Sequence, residues 1–377
     1  MSRKELSIIN YQLSINNQMS ISIIGCGIIG ATIAYELSQS TDFKIDVYDR
    51  QQPAQAATGA ALGVMMGIIS TKVKGRAWNL RRDSIRRYQT LIPELEKSTG
   101  IKIPHNSQGI VKLLSSEDDL SKWTQLVTSR TEQEWQLELW NARKILTQLP
   151  QIDRQFTGTA AYSPQDLQVD PVALTNALVA AAKLNGVNFH FDRSIESIRA
   201  DNPNSCELLT ADDRKITSDR VIVTAGLGAT SLLAPHASID IQPVLGQAIQ
   251  IRLSQPLGNP DFQPVIVSED VNIVPCGGND YWVGATVEFP VDGAMVADPA
   301  CLERVKQIAI GICPDLAKGE IIRTWQGLRP RPNHRPAPVI DRVGKNQRVL
   351  VATGHYRNGI LLAPATARII GDMLLIN

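Results

Sequence analysis

A glycine-rich turn near the start of the chain constrains the fold more than any other feature of the sequence. The segment SIIGCGIIGATIAYEL over residues 22–37 carries glycines at 25, 27 and 30, the spacing GxGxxG. Gly25 suits a tight turn, Gly27 lets a pyrophosphate approach the backbone, and Gly30 lets the helix pack closely on the strand. A β-branched run over Ser20–Ile24 precedes the turn, and a helical pattern over Gly30–Leu37 follows it. The pattern predicts a dinucleotide site at the positive end of this helix.

An acidic residue stands where such a site needs one. A second strand is predicted over Lys44–Tyr48, and Asp49 follows it directly, 24 residues after Gly25. An Asp or Glu at about this spacing binds the ribose of an adenosine. A glycine-rich turn with only a structural role is the alternative, but strand, helix and Asp49 stand in the order that a dinucleotide site requires.

The rest of the chain changes its pattern twice. A helix beginning at Asp170-Pro171 and strands over 188–191 and 220–224 continue the alternation of strands and helices. From Ile239 to Ile322, short strands favour an antiparallel sheet, and a final strand and a helix over Gly359–Leu375 return to the first pattern. Because 377 residues exceed what one hydrophobic core usually fills, we expect a nucleotide lobe interrupted by a sheet lobe.

Charge and cysteine content exclude several classes of partner. A formal net charge of +1 lacks the concentrated positive charge that nucleic acid or an anionic membrane surface attracts. No apolar run reaches the roughly 18 residues of a membrane-spanning helix. The five cysteines are scattered, with no CxxC pair and no metal-ligand spacing, which indicates reduced thiols, no disulfide and no metal site. We therefore expect a cytoplasmic protein that acts on small molecules.

Two further glycine-containing segments separate a flavin site from a nicotinamide site. TGAALG at 58–63 follows the second strand, and GHYRNGI at 354–360 opens the last helix, although a nicotinamide dehydrogenase needs neither. With GLRP at 327–330, WVGATVE at 282–288, VIVTAG at 221–226 and GHYRNGILLAPAT at 354–366, the sequence resembles the D-amino acid oxidase-like flavoenzymes, and most of all their glycine oxidase branch. The resemblance covers residues 21–375.

The resemblance implies an α/β fold in which a FAD-binding Rossmann-type domain of the GR2-like kind is interleaved with an α+β substrate domain built on an antiparallel sheet. The expected FAD-binding domain is discontinuous and covers 19–90, 150–235 and 325–377. The substrate domain covers 91–149 and 236–324, and residues 1–18 form a disordered N-terminal extension whose Asn/Gln-rich repeats lack the apolar core of a signal peptide.

The resemblance also implies a non-covalent FAD and the residues that contact it. They are Gly25, Gly27, Ile28, Ile29, Gly30, Asp49, Arg50, Ala57, Thr58, Leu62, Gly63, Val64, Ile195, Gly226, Gly354, His355, Tyr356, Arg357, Asn358, Gly359, Ile360 and Leu361. Backbone N–H groups at the start of the last helix would face the flavin, where reduction places negative charge. The alternative interpretation of GHYRNG is a glycine-containing loop that has no role in flavin binding.

Three residues are candidates for binding the substrate. Arg329, in GLRP, matches the family's carboxylate-binding arginine, and its planar fork suits both carboxylate oxygens; a structural pair with Asp or Glu is the alternative. Arg357 is a second candidate, with a structural role nearly as well supported. Asn272, in VNIVP, stands where glycine oxidases carry a tyrosine that helps to bind the carboxylate, which weakens the case for glycine itself.

The function implied is oxidative deamination of a small amino acid: glycine, a D-amino acid or an N-alkyl glycine. Hydride would pass from the substrate Cα to the flavin, water would hydrolyse the imine, and molecular oxygen would accept the electrons to give hydrogen peroxide. Orientation and charge would suffice, so no catalytic acid or base is assigned. A flavin dehydrogenase with another acceptor and a flavin-binding subunit with reduced catalysis remain alternatives, and the oligomeric state is open, a homo-oligomer included.

Overall fold

The computed structural model describes residues 18–115 and 117–375, so the predicted N-terminal extension lies outside the described residues, apart from Gln18. The helices are α1 (Ile28–Leu37), α2 (Gly75–Thr99), α3 (Leu120–Glu132), α4 (Ala142–Gln148), α5 (Pro171–Leu184), α6 (Ala229–Leu233), α7 (Pro299–Ile312) and α8 (Gly359–Leu375). Short 3-10 turns lie at Gly226–Gly228, Pro314–Lys318 and Tyr356–Asn358.

The strands form four sheets. In chain order they are β1 (Met19–Ile24), β2 (Phe43–Tyr48), β3 (Val64–Met65), β4 (His105–Asn106), β5 (Ile110–Leu113), β6 (Glu138–Trp140), β7 (Ala160–Ser163), β8 (Leu167–Val169), β9 (Asn188–His190), β10 (Ile195–Arg199), β11 (Cys206–Thr210), β12 (Lys215–Ser218), β13 (Arg220–Val223), β14 (Ile241–Arg252), β15 (Val265–Ser268), β16 (Val271–Pro275), β17 (Asp280–Gly284), β18 (Glu320–Pro332), β19 (Val339–Val343) and β20 (Val349–Thr353).

A six-stranded sheet forms the nucleotide side of the molecule, with the strand order β19-β20-β13-β1-β2-β9. All neighbouring pairs are parallel except β19 with β20. In β1, Ile21 and Ile23 are fully buried between the helices and the neighbouring strands. Helix α1 packs against α5 and α8, and one hydrophobic core joins them to α2. Strands covered in this way carry nearly continuous apolar sequences, as β13 and β20 do.

An eight-stranded, mostly antiparallel sheet forms the other side, with the order β18-β14-β17-β16-β15-β5-β7-β6. Only β15 and β5 pair in parallel. One face packs against α7 through residues such as Val283 and Val305, and the opposite face packs against Trp123 of α3. The predicted fold class, a Rossmann-type α/β unit with an antiparallel sheet unit, is therefore confirmed.

Helix starts follow local capping chemistry. Asp170 accepts hydrogen bonds from the backbone N–H groups of Val172 and Ala173, both at 2.9 Å, and Pro171 occupies the first turn of α5, as predicted. The predicted start of α1 at Gly30 is wrong by two residues, because the backbone becomes helical directly after Gly27.

Helix length and composition bear on membrane contact. Among residues 18–115 and 117–375, no helix combines the length and the apolar character that crossing a bilayer demands.

Candidate functional site

A cavity of about 950 Å³ lies between the two large sheets. On one side it is lined by residues that directly follow the carboxyl ends of parallel strands: Gly25 after β1, Asp49 after β2, Thr224 after β13 and Gly354 after β20. Ligands of open parallel sheets bind at this edge. The opposite wall is a face of the eight-stranded sheet, so a ligand here would touch both halves of the fold.

The glycine turn is dictated by backbone crowding. Gly25 has φ +107°, and a Cβ there would lie 2.7 Å from the carbonyl oxygen of Thr224. A Cβ on Gly30 would lie 1.9 Å from the carbonyl oxygen of Gly25, so α1 could not approach β1 with any larger residue. Gly27 is the N-cap of α1 and has no capping side chain, while the N–H of Ile28 donates to Thr58 Oγ1 at 3.0 Å. The positive end of α1 therefore opens towards the cavity.

Asp49 joins the second strand to this turn. Its Oδ2 accepts a hydrogen bond from the backbone N–H of Cys26 at 2.6 Å, and its Oδ1 accepts one from Gln51 at 2.9 Å. Burial, followed by the charge of Asp49, raises the pKa of the Cys26 thiol far above its usual range, so the thiol stays protonated. Asp49 lines the cavity with both oxygens already oriented by backbone donors.

The segment before α8 carries the only described histidine that lines the cavity, His355. The hydroxyl of Thr366 donates to the carbonyl oxygen of Leu362 at 2.8 Å, so at 3.0 Å it accepts from His355 Nε2. Burial, followed by the charge of Arg76, lowers the pKa of His355 to about 3. The ring is therefore neutral with its proton on Nε2, and it cannot carry positive charge at neutral pH.

Arg329 lies on β18 with its guanidinium over the backbone of Gly246. A Cβ on Gly246 would come within 2.2 Å of Nη2, so only glycine allows this approach. Nη1 donates to the carbonyl oxygens of Leu245 and Thr286, each at 3.0 Å. No Asp or Glu in the described ranges lies within 4.0 Å of this guanidinium, so the structural ion pair considered from the sequence is not formed. Burial, and then the charge of Arg357, lower the pKa of Arg329.

Arg357 does have a carboxylate partner. Its Nη1 donates to Asp270 Oδ1 at 2.6 Å, and the two side chains are 34% and 64% exposed. Asp270 lies in the turn between β15 and β16, whereas Arg357 lies in the 3-10 turn before α8. The pair therefore links the two walls of the cavity, and both residues line it.

Asn272 is held by backbone carbonyl groups. Its Nδ2 donates to the carbonyl oxygen of Gly284 at 2.9 Å and lies 3.5 Å from that of Asp270. Its buried Oδ1 has no hydrogen-bond partner among the described residues. Asn272 borders the cavity, but its two amide hydrogens already have acceptors, so the donor foreseen for a substrate carboxylate is occupied.

Most of the residues expected from the sequence converge on this one cavity. Arg329, Arg357, Asn272 and all the candidate FAD contacts except Gly30 and Leu361 line it. Gly30 acts through its contact with Gly25, and Leu361 is 2% exposed in the core. Sequence reasoning missed Lys112 and Asp270, which line the substrate side. Lys112 is the cross-strand neighbour of Val267, which pairs with Asn272, so only knowledge of the strand register could have found it.

Metal binding has no structural support in the same residues. Within the described part of the chain, no group of three or more His, Cys, Asp or Glu side chains could hold a metal ion. The cysteines at 26, 206, 276, 301 and 313 are all free thiols.

The fold and the cavity define a dinucleotide-cofactor protein, and comparison with known families specifies which. Residues 20–373 match the family described as FAD dependent oxidoreductase, abbreviated DAO. Since this match spans nearly the whole chain, the protein belongs to that family. The resemblance inferred from the sequence is confirmed.

Individual relatives agree with the family. The chain is 28% identical to glycine oxidase of Bacillus licheniformis over 357 residues, which cover 94% of this chain and 92% of that protein. It is 25% identical to glycine oxidase of Geobacillus kaustophilus over 360 residues, covering 95% and 93%. The crystal structure of the G. kaustophilus enzyme superimposes with a TM-score of 0.85 at 25% identity, covering 95% of each chain.

The residues present fit the cofactor that the family uses. A helix start whose N-cap, Gly27, has no capping side chain, a turn in which a Cβ on Gly25 or Gly30 would strike backbone atoms, and Asp49 at the end of the second strand together suit the phosphates and ribose of FAD. The chain is therefore a FAD-dependent oxidoreductase similar to glycine oxidases, and the predicted cofactor is confirmed.

Proposed function

We propose that this protein oxidatively deaminates a small amino acid, such as glycine, a D-amino acid or an N-alkyl glycine. The observation that carries the proposal is Arg329, a partly buried guanidinium that borders the cavity and whose hydrogen-bond partners among the described residues are carbonyl oxygens. A partly buried cation without a carboxylate loses part of its hydration, and a substrate carboxylate would offset that cost. The similarity to glycine oxidases supports this class of substrate.

The proposed FAD site follows the cavity from the glycine turn to the last helix. The residues at 25, 27–29, 49–50, 57–58 and 62–64 would hold the ADP half, with Ile195 and Gly226 beside them, and Gly30 would keep the turn in shape. Residues 354–361 would lie next to the flavin. When bound, FAD supplies the two-electron acceptor for the substrate C–H bond.

The chain itself contributes orientation and charge. Arg329 would fix the substrate carboxylate, because its Nη1 is anchored by Leu245 and Thr286 and the fork therefore has a defined direction. His355 is buried and neutral, so it would shape the site without holding a positive charge. We assign no general base, and the amine would bind in its neutral form before oxidation.

We also propose molecular oxygen as the electron acceptor, with hydrogen peroxide as product. The glycine oxidase relatives support this choice. The division into a FAD-binding domain over 19–90, 150–235 and 325–377 and a substrate domain over 91–149 and 236–324 is part of the same proposal, as is a cytoplasmic location.

An anaerobic absorbance screen tests the proposal. Purified protein is loaded with FAD and mixed with glycine, sarcosine and a panel of D-amino acids, and each L-amino acid serves as the matched control for its D form. We expect at least one D-amino acid, glycine or sarcosine to bleach the flavin, and we expect peroxide when air is admitted. Bleaching without peroxide would indicate a dehydrogenase with another acceptor. No bleaching by any amine would contradict the proposal and would favour a flavin-binding subunit with reduced catalysis.

A further inference from the structure

Two arginines, Arg329 and Arg357, line the substrate end of the cavity, and one of them, Arg357, forms an ion pair with a carboxylate of the chain, Asp270. Asp270 belongs to the two-residue turn Glu269-Asp270, which joins Ser268 to its cross-strand partner Val271. Arg357 approaches from the opposite wall and donates to Asp270 Oδ1 at 2.6 Å. Among the described residues, Arg357 is the only hydrogen-bond partner of the Asp270 side chain. The pair therefore spans the cavity without a further anchor.

The charges of Arg357 and Asp270 also act on the second arginine, Arg329, and change its pKa. Arg357 lowers the pKa of Arg329, and only burial has a larger effect, whereas Asp270 raises it. Two guanidinium groups thus repel each other at one end of the cavity, and the Asp270 carboxylate offsets part of that repulsion. An incoming anion would relieve this repulsion further, because it could engage both cations at once.

The backbone of the turn is anchored, but the ion pair itself is weak. Asn272 anchors the turn, since its Nδ2 donates to the carbonyl oxygen of Gly284 at 2.9 Å and lies 3.5 Å from that of Asp270. The Asp270 side chain is nevertheless 64% exposed. An ion pair so open to water contributes little to stability, so Arg357 can exchange one carboxylate for another at small cost.

We propose that Asp270 is an internal competitor for the anionic end of the substrate. In the empty cavity it holds Arg357, and the substrate carboxylate displaces it so that Arg329 and Arg357 bind one anion together. This inference rests on the proposed function, because it assumes that the substrate carries a carboxylate. Asp270 would then set the affinity for carboxylates without touching the reacting atoms.

The test measures binding of acetate to the FAD-loaded protein, by calorimetry and by the change in flavin absorbance. Asp270→Asn removes the competing charge and keeps the shape of the side chain. We expect the Kd for acetate to fall about threefold to tenfold, the range set by one exposed ion pair and the lost local negative charge. Acetamide, which is neutral, should show no such change.

Glu269→Gln is the matched control, since Glu269 lies in the same turn and lines the same cavity but has no ion-pair partner among the described residues. We expect less than about a twofold change in the Kd for acetate, as a charge acting only through water is screened. The double variant Asp270→Asn/Arg357→Gln is compared with Arg357→Gln alone. We expect these two proteins to have the same Kd for acetate, because Asp270 no longer has Arg357 to hold.

Three results would overturn the inference: an unchanged or higher Kd for acetate in Asp270→Asn, an equal effect of Glu269→Gln, or a gain that persists in the double variant. These results differ from failure of the proposed function, which shows as the absence of flavin bleaching by every amine. Because acetate binding needs no turnover, each outcome can be read independently of the other.

Discussion

The two ends of the cavity are built on different principles. At the nucleotide end, backbone atoms crowd so closely that a Cβ on Gly30 would lie 1.9 Å from a carbonyl oxygen. At the substrate end, charged side chains line the cavity, and Arg329 has no carboxylate partner in the part of the chain that the structure describes. The first end is fixed by shape, so almost any substitution breaks it. The second is fixed by charge, so substitutions there should change affinity and leave the fold intact.

The largest effect is expected at the nucleotide end. Gly30→Val forces a side chain into the backbone of Gly25, and we expect it to reduce the free energy of unfolding by more than about 4 kcal/mol and to abolish FAD retention. Gly311→Ala is the control, because a Cβ at this exposed position of α7 would meet no atom within 4 Å. Thermal unfolding would measure the loss of stability, and the FAD content of the purified proteins would measure cofactor retention. A fully yellow, stable Gly30→Val protein would refute the crowding argument.

At the substrate end, Arg329→Gln should weaken binding while leaving the fold unchanged. Truncating one partner of a buried charge pair costs about 2–5 kcal/mol, so KM for the amine, or Kd for acetate, should rise by at least thirtyfold. Arg323→Gln on the same strand is the control, since Arg323 is exposed and does not line the cavity. Unchanged kinetics in Arg329→Gln, with normal FAD content, would remove Arg329 from the substrate site.

Asn272 borders the substrate end of the cavity, but its hydrogen bonds to backbone carbonyls give it a structural role. Asn272→Ala leaves the carbonyl oxygen of Gly284 without its donor, so we expect a loss of about 1–3 kcal/mol in the free energy of unfolding. The Kd for acetate should change far less than in Arg329→Gln, because the amide hydrogens are already used. Urea unfolding and acetate titration distinguish the roles. A large rise in the Kd for acetate with unchanged stability would assign Asn272 to the carboxylate after all.

The most gradual effect, small for each step in pH, concerns the neutral histidine beside the last helix. The folded-state pKa of His355 is about 3, well below its ordinary value of 6.5, because the ring is buried. Between pH 6.5 and pH 3 the unfolded chain therefore binds a proton that the folded protein does not. We expect this group to lower stability by up to about 1.4 kcal/mol per unit as the pH falls through that window.

Urea unfolding at pH 7, 6 and 5 measures that slope. His355→Asn, which has no ionisable ring, should show a shallower decline with falling pH than the original chain. Identical slopes in the two proteins would mean that His355 titrates normally and is not shielded from water.

Local sequence patterns predict much of the fold and part of the site. The glycine spacing, Asp49 at a strand end and the Asp170-Pro171 helix start are short-range signals, and the structure reproduces them. The start of α1 was misplaced by two residues, because the helix begins as soon as the turn leaves Gly27. Lys112 was missed, since it reaches the cavity through strand register across β5 and β15.

Local sequence pattern is enough to locate the cofactor end of the cavity. The spacing GxGxxG, with a strand before it, a helix after it and Asp49 at the end of the next strand, lies within a short stretch of chain and can be seen without tertiary structure. The contact that excludes a Cβ at Gly25, with the carbonyl oxygen of Thr224, is supplied by the fold. The partners of the charged and polar groups depend on how the chain folds. Asp270 pairs with Arg357, backbone carbonyls hold Asn272, and Arg329 has carbonyl oxygens as its partners among the described residues. The partner of Arg357 lies 87 residues away along the chain, and one partner of Arg329 lies 84 residues away. The type of a residue gives its charge, but the fold decides which neighbour that charge meets.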